Sequence, residues 1–239
     1  MRGVETRIQE IRHWIFREVA RMAYHTEWPV DKRIEELPYK IITGEVGNFR
    51  NDVFLERAIV GERVRLAMGL PCRDAGNQAP ISEDVEAADR PETYYTPPLI
   101  NIIKFACNAC PEKRLIVTEG CMGCLAHPCM EVCPKDAVHL DRTIGRASID
   151  QDKCIKCGRC ATACSYNAII TQERPCAAAC GMDAIHSDSQ GKAEIDYDKC
   201  VSCGMCLVNC PFGAISDKPQ IFQVCLLYTS PSPRDTERS

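Results

Sequence analysis

Sixteen cysteines fall between Cys107 and Cys210 in a chain of 239 residues, and their spacing is that of iron–sulfur ligands. Three groups are unbroken four-cysteine runs: Cys121-Cys124-Cys129-Cys133, Cys154-Cys157-Cys160-Cys164 and Cys200-Cys203-Cys206-Cys210. The last two have the C-x2-C-x2-C-x3-C form, in which three thiolates wrap one face of a 4Fe–4S cube and the fourth goes to a neighbouring cube. Sixteen thiolates at four per cube give four cubes. In an inner pair, Cys121, Cys124 and Cys129 take Cys164 as fourth ligand, and Cys154, Cys157 and Cys160 take Cys133. Cys107-x2-Cys110 is a front half with no back, and Cys176-x3-Cys180 a back half with no front. Joined, they form one split run around an inserted inner unit of about residues 115–172. Cys107, Cys110 and Cys176 then pair with Cys210, and Cys200, Cys203 and Cys206 with Cys180. A rival reading leaves Cys107 and Cys110 unused and gives three cubes.

Other metal and cysteine chemistry fits less well. Zinc ribbons pair two C-x2-C units across roughly 15–20 residues, whereas here the third and fourth cysteines follow at once. Cysteines three residues apart crowd too closely to cross-link in order, and the charged start, MRGVETRIQEIRHW, is no signal peptide. A reducing, cytoplasmic setting follows. Cys72 stands alone and reads as a semi-buried thiol. His127 could bond a cluster sulfur, ligate iron or serve the loop beside Pro128; His139 and His186, at equivalent repeat positions, read as packing residues. No serine–histidine–acid constellation or glycine-rich phosphate loop stands out, so no catalytic residue is assigned.

The elements that must position the thiols repeat. Residues 133–169 and 180–215 align with a single-residue difference. Each offers a strand (Val138-His139-Leu140, Ile185-His186), a turn at Gly145 or Gly191, and a return strand (Ala147-Ser148-Ile149, Ala193-Glu194-Ile195) before a cysteine run on a loop and short helix. A hairpin joining two cluster loops, used twice, is a duplicated two-cluster ferredoxin unit. Upstream, Val4, Ile8, Ile11, Ile15, Val19 and Met22 recur at helical spacing over 3–25. A second helix is expected over 51–68, with Val53, Phe54, Ile59, Val60, Val64 and Leu66 apolar, before Gly69 and Pro71. The expected fold class is α+β. A helical region (1–70) and a linker or surface strap (71–98) precede a nested four-cluster domain (99–224).

The formal charge is −4 with thiols neutral; four oxidised cubes with their thiolates would bring it to about −12. That excludes a nucleic-acid binder, and no apolar run spans a bilayer. Charges in the first seventy residues alternate in sign and read as a solvated helix face. Residues 225–239 need a separate account. Cys225 to Asp235, CLLYTSPSPRD, match in one frame the translation of a transposon adapter used in sequencing libraries. They are therefore expected to be a non-native tail, unable to continue the apolar helix starting near Ile221, with the natural frame cut near Val224.

The segments CMGCLAHPCMEVCPKDAV, CIKCGRC, RPCAAACGMDAI and DYDKCVSCGMCLVNCPFGAI, with the leader FLERAIVGERVRLAMG, resemble the iron–sulfur region of a subgroup of iron-only (FeFe) hydrogenases. The resemblance covers nearly all of residues 1–224. It implies that this portion relays single electrons between a soluble carrier and a catalytic domain or subunit. That hydrogenase domain would follow the last cysteine run. A stand-alone polyferredoxin, or the electron-transfer subunit of another oxidoreductase, has the same cysteine runs.

Overall fold

A computed structural model describes residues 5–229 except 26, 28, 74, 75 and 77. Val4 and residues 230–239 of the expected tail thus lie outside the described residues. The N-terminal third is helical. α1 (Arg7–Tyr24) begins at a capping box in which the Thr6 amide donates to Gln9 Oε1 at 2.8 Å. α2 (Val30–Ile41) was not anticipated, because Pro38 stands inside it. α3 (Val53–Ala67) is capped by Asp52, whose carboxylate accepts from the Phe54 and Leu55 amides at 2.8 and 3.3 Å. The core between these helices is Ile15, Val19, Met22, Ile34, Leu37, Val60 and Val64.

Two expectations fail on α3. Phe54 faces solvent at 71% exposure. The charges, read as a solvated face, are instead interior: Glu56, Glu62, Arg63 and Arg65 are all buried. Each bonds backbone or an opposite charge, which lowers the cost of burial, although Nη1 of Arg63 has no partner. Arg65 donates to the carbonyls of Pro71, Ile81 and Glu83, and Glu62 pairs with Arg73 at 2.7 Å. Pro71, Arg73, Ile81 and Glu83 are therefore tied down onto α3.

Beyond the strap the chain makes four two-stranded antiparallel sheets. β1 (Ile100–Ile102) leads to β2 (Arg114–Val117), then α4 (Pro128–Glu131), β3 (Val138–Asp141), β4 (Arg146–Ile149), α5 (Arg159–Ala163) and β5 (Ile169–Gln172). The chain continues through α6 (Pro175–Ala178), β6 (Ile185–Ser187), β7 (Ala193–Ile195), α7 (Met205–Asn209) and β8 (Ile215–Asp217). β3 pairs with β4 and β6 with β7 as local hairpins. The other two pairings enclose one another: β2 meets β5, with Leu115 opposite Thr171, and outside them β1 meets β8, with Asn101 opposite Ser216. Two small cores follow this division. Leu115, Val138, Ala147 and Ile169 build one, and Ile100, Ile103, Ile185, Ile195 and Ile215 the other, which Ile59 of α3 joins.

The hairpins correct a further expectation. His139 and His186 point outward, not into a core, because period-two alternation buries Val138 and Ile185 instead. His186 lies 3.7 Å from Glu194 across the hairpin.

The last element, α8 (Ile221–Thr229), also departs from expectation by running through Cys225. Cys225-Leu226-Leu227-Tyr228 contains no proline or glycine to stop a helix. Cys225 falls one turn-spacing from Phe222, and both are buried in the helical core.

Candidate iron–sulfur sites

The four cysteine groups share one local construction. The residue before the second cysteine is left-handed in all of them: φ is +45° at Ala109, +57° at Gly123, +58° at Lys156 and +54° at Ser202. At Gly123 a Cβ would come 2.1 Å from the Gly145 carbonyl oxygen of the neighbouring hairpin, so only glycine fits. The third cysteines, Cys129, Cys160, Cys176 and Cys206, each lie on a short helix and are buried. Four residues after each fourth cysteine comes a buried alanine (Ala137, Ala168, Ala184, Ala214), entered through a left-handed Asp136, Asn167, Asp183 or Gly213. Those residue types tolerate that conformation.

This construction delivers amides to sulfur. Ala137, Ala168 and Ala184 donate to the Sγ atoms of Cys133, Cys164 and Cys180 at 3.3, 3.4 and 3.4 Å. The return strands supply a second kind of donor. The Ala147 amide bonds Cys121 Sγ at 3.4 Å, and the Ala193 amide bonds Cys107 Sγ at 3.3 Å. Ala147 and Ala193 are equivalent in the repeat, so Cys107 occupies the place in the outer unit that Cys121 has in the inner one.

The thiols gather in fours. Cys107, Cys110, Cys176 and Cys210 line one pocket, with Ala193 and Ala214. Cys180, Cys200, Cys203 and Cys206 line another. In the inner unit the Cys129 thiol is within electrostatic reach of Cys124, Cys164 and Cys121, and Cys160 of Cys154 and Cys133. Among the described residues no three histidine, cysteine or acidic side chains close around a single ion. The two pocket-lining sets are spread around a space, a donor arrangement suited to a cluster of several irons bridged by sulfide.

Burial sets the character of these thiols. It pushes Cys176 and Cys206 up to about 11 and raises Cys110, Cys129 and Cys160 as well. At Cys133 burial also raises, but the amides of Lys135, Ala137 and Val138 outweigh it and the thiol is lowered. Iron binding must therefore displace protons from the buried positions, which couples assembly of the sites to folding. Cys157 and Cys203, the second cysteines of the two C-x2-C-x2-C-x3-C runs, are the exposed ones. Cys72 is half-buried and outside the four sets; burial and nearby Glu62 push its thiol up to about 12. His127 serves the backbone: it is the left-handed residue, at φ +40°, from which α4 starts at Pro128.

Sequence reasoning missed three arginines. Arg174, 3% exposed, donates to the Cys110 carbonyl oxygen from Nε at 3.2 Å and from Nη2 at 2.7 Å. It also reaches the carbonyls of His186 and Gly191 and the Ser187 hydroxyl, at 3.0, 2.7 and 2.9 Å. Arg63 of α3 donates to the Gly213 carbonyl oxygen just after Cys210. Arg50 donates to those of Ala106 and Phe212, both at 3.1 Å. Its loop is held by Glu56, whose carboxylate accepts from the amides of Asn48, Phe49 and Arg50. A signal for Arg174 exists in the repeat: Arg174-Pro175-Cys176 stands where the inner unit has His127-Pro128-Cys129.

Known proteins agree with this construction. Residues 146–169 and 192–215 each match the family of the 4Fe-4S binding domain. A 7Fe ferredoxin of Hydrogenibacillus schlegelii is 38% identical over 58 residues, 24% of this chain and 72% of the relative. An uncharacterised ferredoxin of Methanocaldococcus jannaschii is 40% identical over 67 residues, 26% of this chain and 43% of the relative. The electron transport protein HydN of Escherichia coli is 33% identical over 85 residues, 36% of this chain and 42% of the relative. The chain thus spans less than half the length of the latter two. Matching a ferredoxin over most of that relative's length, and repeating thiol loops with amide-to-sulfur bonds, the chain belongs to the 4Fe–4S ferredoxin family.

Proposed function

We propose that the chain relays single electrons through four 4Fe–4S cubes wired as two nested two-cluster units. Cys121, Cys124, Cys129 and Cys164 hold one cube, and Cys154, Cys157, Cys160 and Cys133 the next. Cys107, Cys110, Cys176 and Cys210 hold a third, and Cys200, Cys203, Cys206 and Cys180 a fourth. The observation that carries this reading is the shared pocket of Cys107, Cys110, Cys176 and Cys210, together with the Ala193-to-Cys107 bond that repeats Ala147-to-Cys121. A three-cube protein leaves both without a reason. A cube bound at such a site supplies one-electron exchange at a potential set by burial, charge and hydrogen bonds to sulfur. The residues around it exclude water with buried alanines and present amides to sulfur from a backbone held in place by left-handed turns. Iron and acid-labile sulfide after anaerobic reconstitution test the count: about sixteen irons per chain supports it and about twelve overturns it.

As its physiological setting, the relay belongs to an iron-only hydrogenase, its electrons exchanged between a soluble carrier and a catalytic domain encoded after the last cysteine run. The leader and the RPCAAACGMDAI segment support this, as does the adapter-like translation of Cys225 to Asp235, which makes residues 225–239 foreign to the natural protein. Reading the genomic locus past the codon for Val224 tests both points. A native stop soon after it sinks the hydrogenase setting, and native codons for CLLYTSPSPRD sink the adapter. The second reading is an electron-transfer subunit working beside a separate oxidoreductase. It is favoured by similarity to the polyferredoxin-like subunit of an aliphatic sulfonate oxidoreductase of Pyrococcus furiosus, 38% identical over 48 residues. A large catalytic subunit encoded beside this chain would support it.

A further inference from the structure

The environment of the Cys107/Cys110/Cys176/Cys210 site differs from that of the other three in its charge. Arg174 lies in the wall of that pocket and is 3% exposed. Its hydrogen bonds all end on neutral oxygens: two on the Cys110 carbonyl and one each on the His186 carbonyl, the Gly191 carbonyl and the Ser187 hydroxyl. The acid nearest in sequence to these acceptors, Asp188, is taken by Lys104 at 2.7 Å. A buried guanidinium without a carboxylate is costly unless negative charge faces it. The thiols of Cys110 and Cys176 are in electrostatic contact with it, so they are the groups placed to supply that charge.

The same site receives a second buried cation. Arg63 is 6% exposed, bonds the Gly213 carbonyl beside Cys210, and leaves its Nη1 buried without a partner. Its charge is felt by Arg12 and Asp217, which pair with each other, and by Cys210. The pocket of Cys180, Cys200, Cys203 and Cys206 has no arginine in its wall, and the buried Cys129, Cys160 and Cys206 are shifted by burial, by backbone amides and by cysteines of their own sets.

We infer that Arg174 is the positioning residue that closes the split cysteine run, and that with Arg63 it makes this site the one whose cube is most easily reduced of the four. Two consequences follow from the geometry. In the inner unit Leu125-Ala126-His127-Pro128 join the second and third cysteines through the chain; in the outer unit residues 111–175 intervene, and the Arg174 fork ties Cys110 to the start of α6 instead. A reduced cube carries one more negative charge than an oxidised one, so fixed positive charge at low dielectric favours the reduced state. This rests on the four-cube reading above.

The test uses the full chain, reconstituted anaerobically, with iron and sulfide counted and the reduction steps resolved by EPR-monitored redox titration. Cys110→Ser identifies the step that belongs to this site. Arg174→Met is expected to drop iron from about sixteen to about twelve per chain, and Arg174→Lys, which keeps the charge, to restore most of it. Arg63→Gln is expected to keep about sixteen irons and move that one step to more negative potential, leaving the other three in place. Arg142→Gln, on the exposed β3–β4 turn, serves as the control that moves nothing. Full iron and four unmoved steps in Arg174→Met overturn the inference. So does a shift in Arg63→Gln at a step that survives in Cys110→Ser. Should Arg174→Met fail to fold, the Arg63→Gln titration decides alone. An unaltered chain holding about twelve irons, with Cys110→Ser identical to it, instead overturns the four-cube reading and the inference with it.

Discussion

The inner and outer ferredoxin units carry the same loops, hairpin and buried alanines, yet they hold themselves together differently. The inner unit is continuous in sequence, packs on its own small core, and exposes apolar side chains around its sites, among them Leu125 at 94% and Met122 at 67%. The outer unit is interrupted by the whole of the inner one and leans on other parts of the chain. Ile59 and Leu55 of α3 enter its core, Arg12 of α1 grips Asp217 of β8 at 2.8 Å, and Arg50 and Arg63 hold its loops. The difference shows what an insertion into a cluster loop requires. Its two ends must leave side by side, and β2 and β5 achieve this by pairing Arg114 with Gln172, whose side chains also bond at 2.8 Å. The gap then needs a tie, which Arg174 provides.

The sharpest test of this contrast is removal of iron. Chelation is expected to unfold the inner unit altogether, since its core is small and its sites couple folding to metal. The helical core keeps its structure. In hydrogen exchange read by mass spectrometry, amides of 114–172 should lose all protection while those of α3 retain it. Persistent protection in β2 and β5 without iron would break the contrast.

Next in size are single ligand changes. Cys124→Ser and Cys110→Ser are each expected to cost about four irons per chain. They should differ in reach: Cys124→Ser should loosen only the inner unit, whereas Cys110→Ser empties the site whose loop Arg174 ties to the β6–β7 hairpin and should loosen that hairpin too. Hydrogen exchange of β6 and β7 separates the two variants, and equal protection in both would remove the distinction.

Much of this was legible in the sequence, and what was not has physical causes. The cysteine spacing and the repeat placed the hairpins at Val138–Asp141 with Arg146–Ile149, and at Ile185–Ser187 with Ala193–Ile195. They also led to the split pair that the structure brings together at one pocket. α2 escaped because Pro38 sits in its interior. The charges of α3 were misread because periodicity reports a helix's apolar stripe, and α3 is buried nearly all round. The repeat sets Arg174 where the inner unit has His127, but its role was hidden because its partner, the Cys110 carbonyl, lies 64 positions away. The histidines of the hairpins were assigned to packing on repeat position, when alternation alone turns them outward.

Two smaller predictions refine the bracing of the outer unit. Arg12→Ala removes the tie between α1 and β8 and should lower stability of the outer unit by about 0.5–1 kcal/mol, with no effect on the inner one. Denaturant titration with local probes checks it, and an equal loss in both units would count against separate bracing. Smallest is the Lys104–Asp188 pair across the outer hairpin turn. The Lys104 ammonium, with the amides of Lys192 and Gln190, holds the Asp188 carboxyl down to about 2 from its usual value. A depressed carboxylate stabilises above its unfolded value, about 3.9, and loses that contribution as pH falls towards about 2. Lys104→Ala should raise the Asp188 midpoint, readable by NMR titration, and a midpoint left at about 2 would show that the amides suffice.

The nesting also dictates an order of manufacture. During synthesis Cys107 and Cys110 leave the ribosome before any other thiol of the four sets, yet their pocket cannot close until Cys210 has emerged. On the nested four-cube reading proposed above, the inner unit would be complete at Gln172 and could load its metal while the first two thiols wait, open, for partners not yet translated. Early-made cysteines are thus the last to be sheltered, and the chain's exposure to oxygen or to mispairing is greatest at Cys107 and Cys110 during that interval.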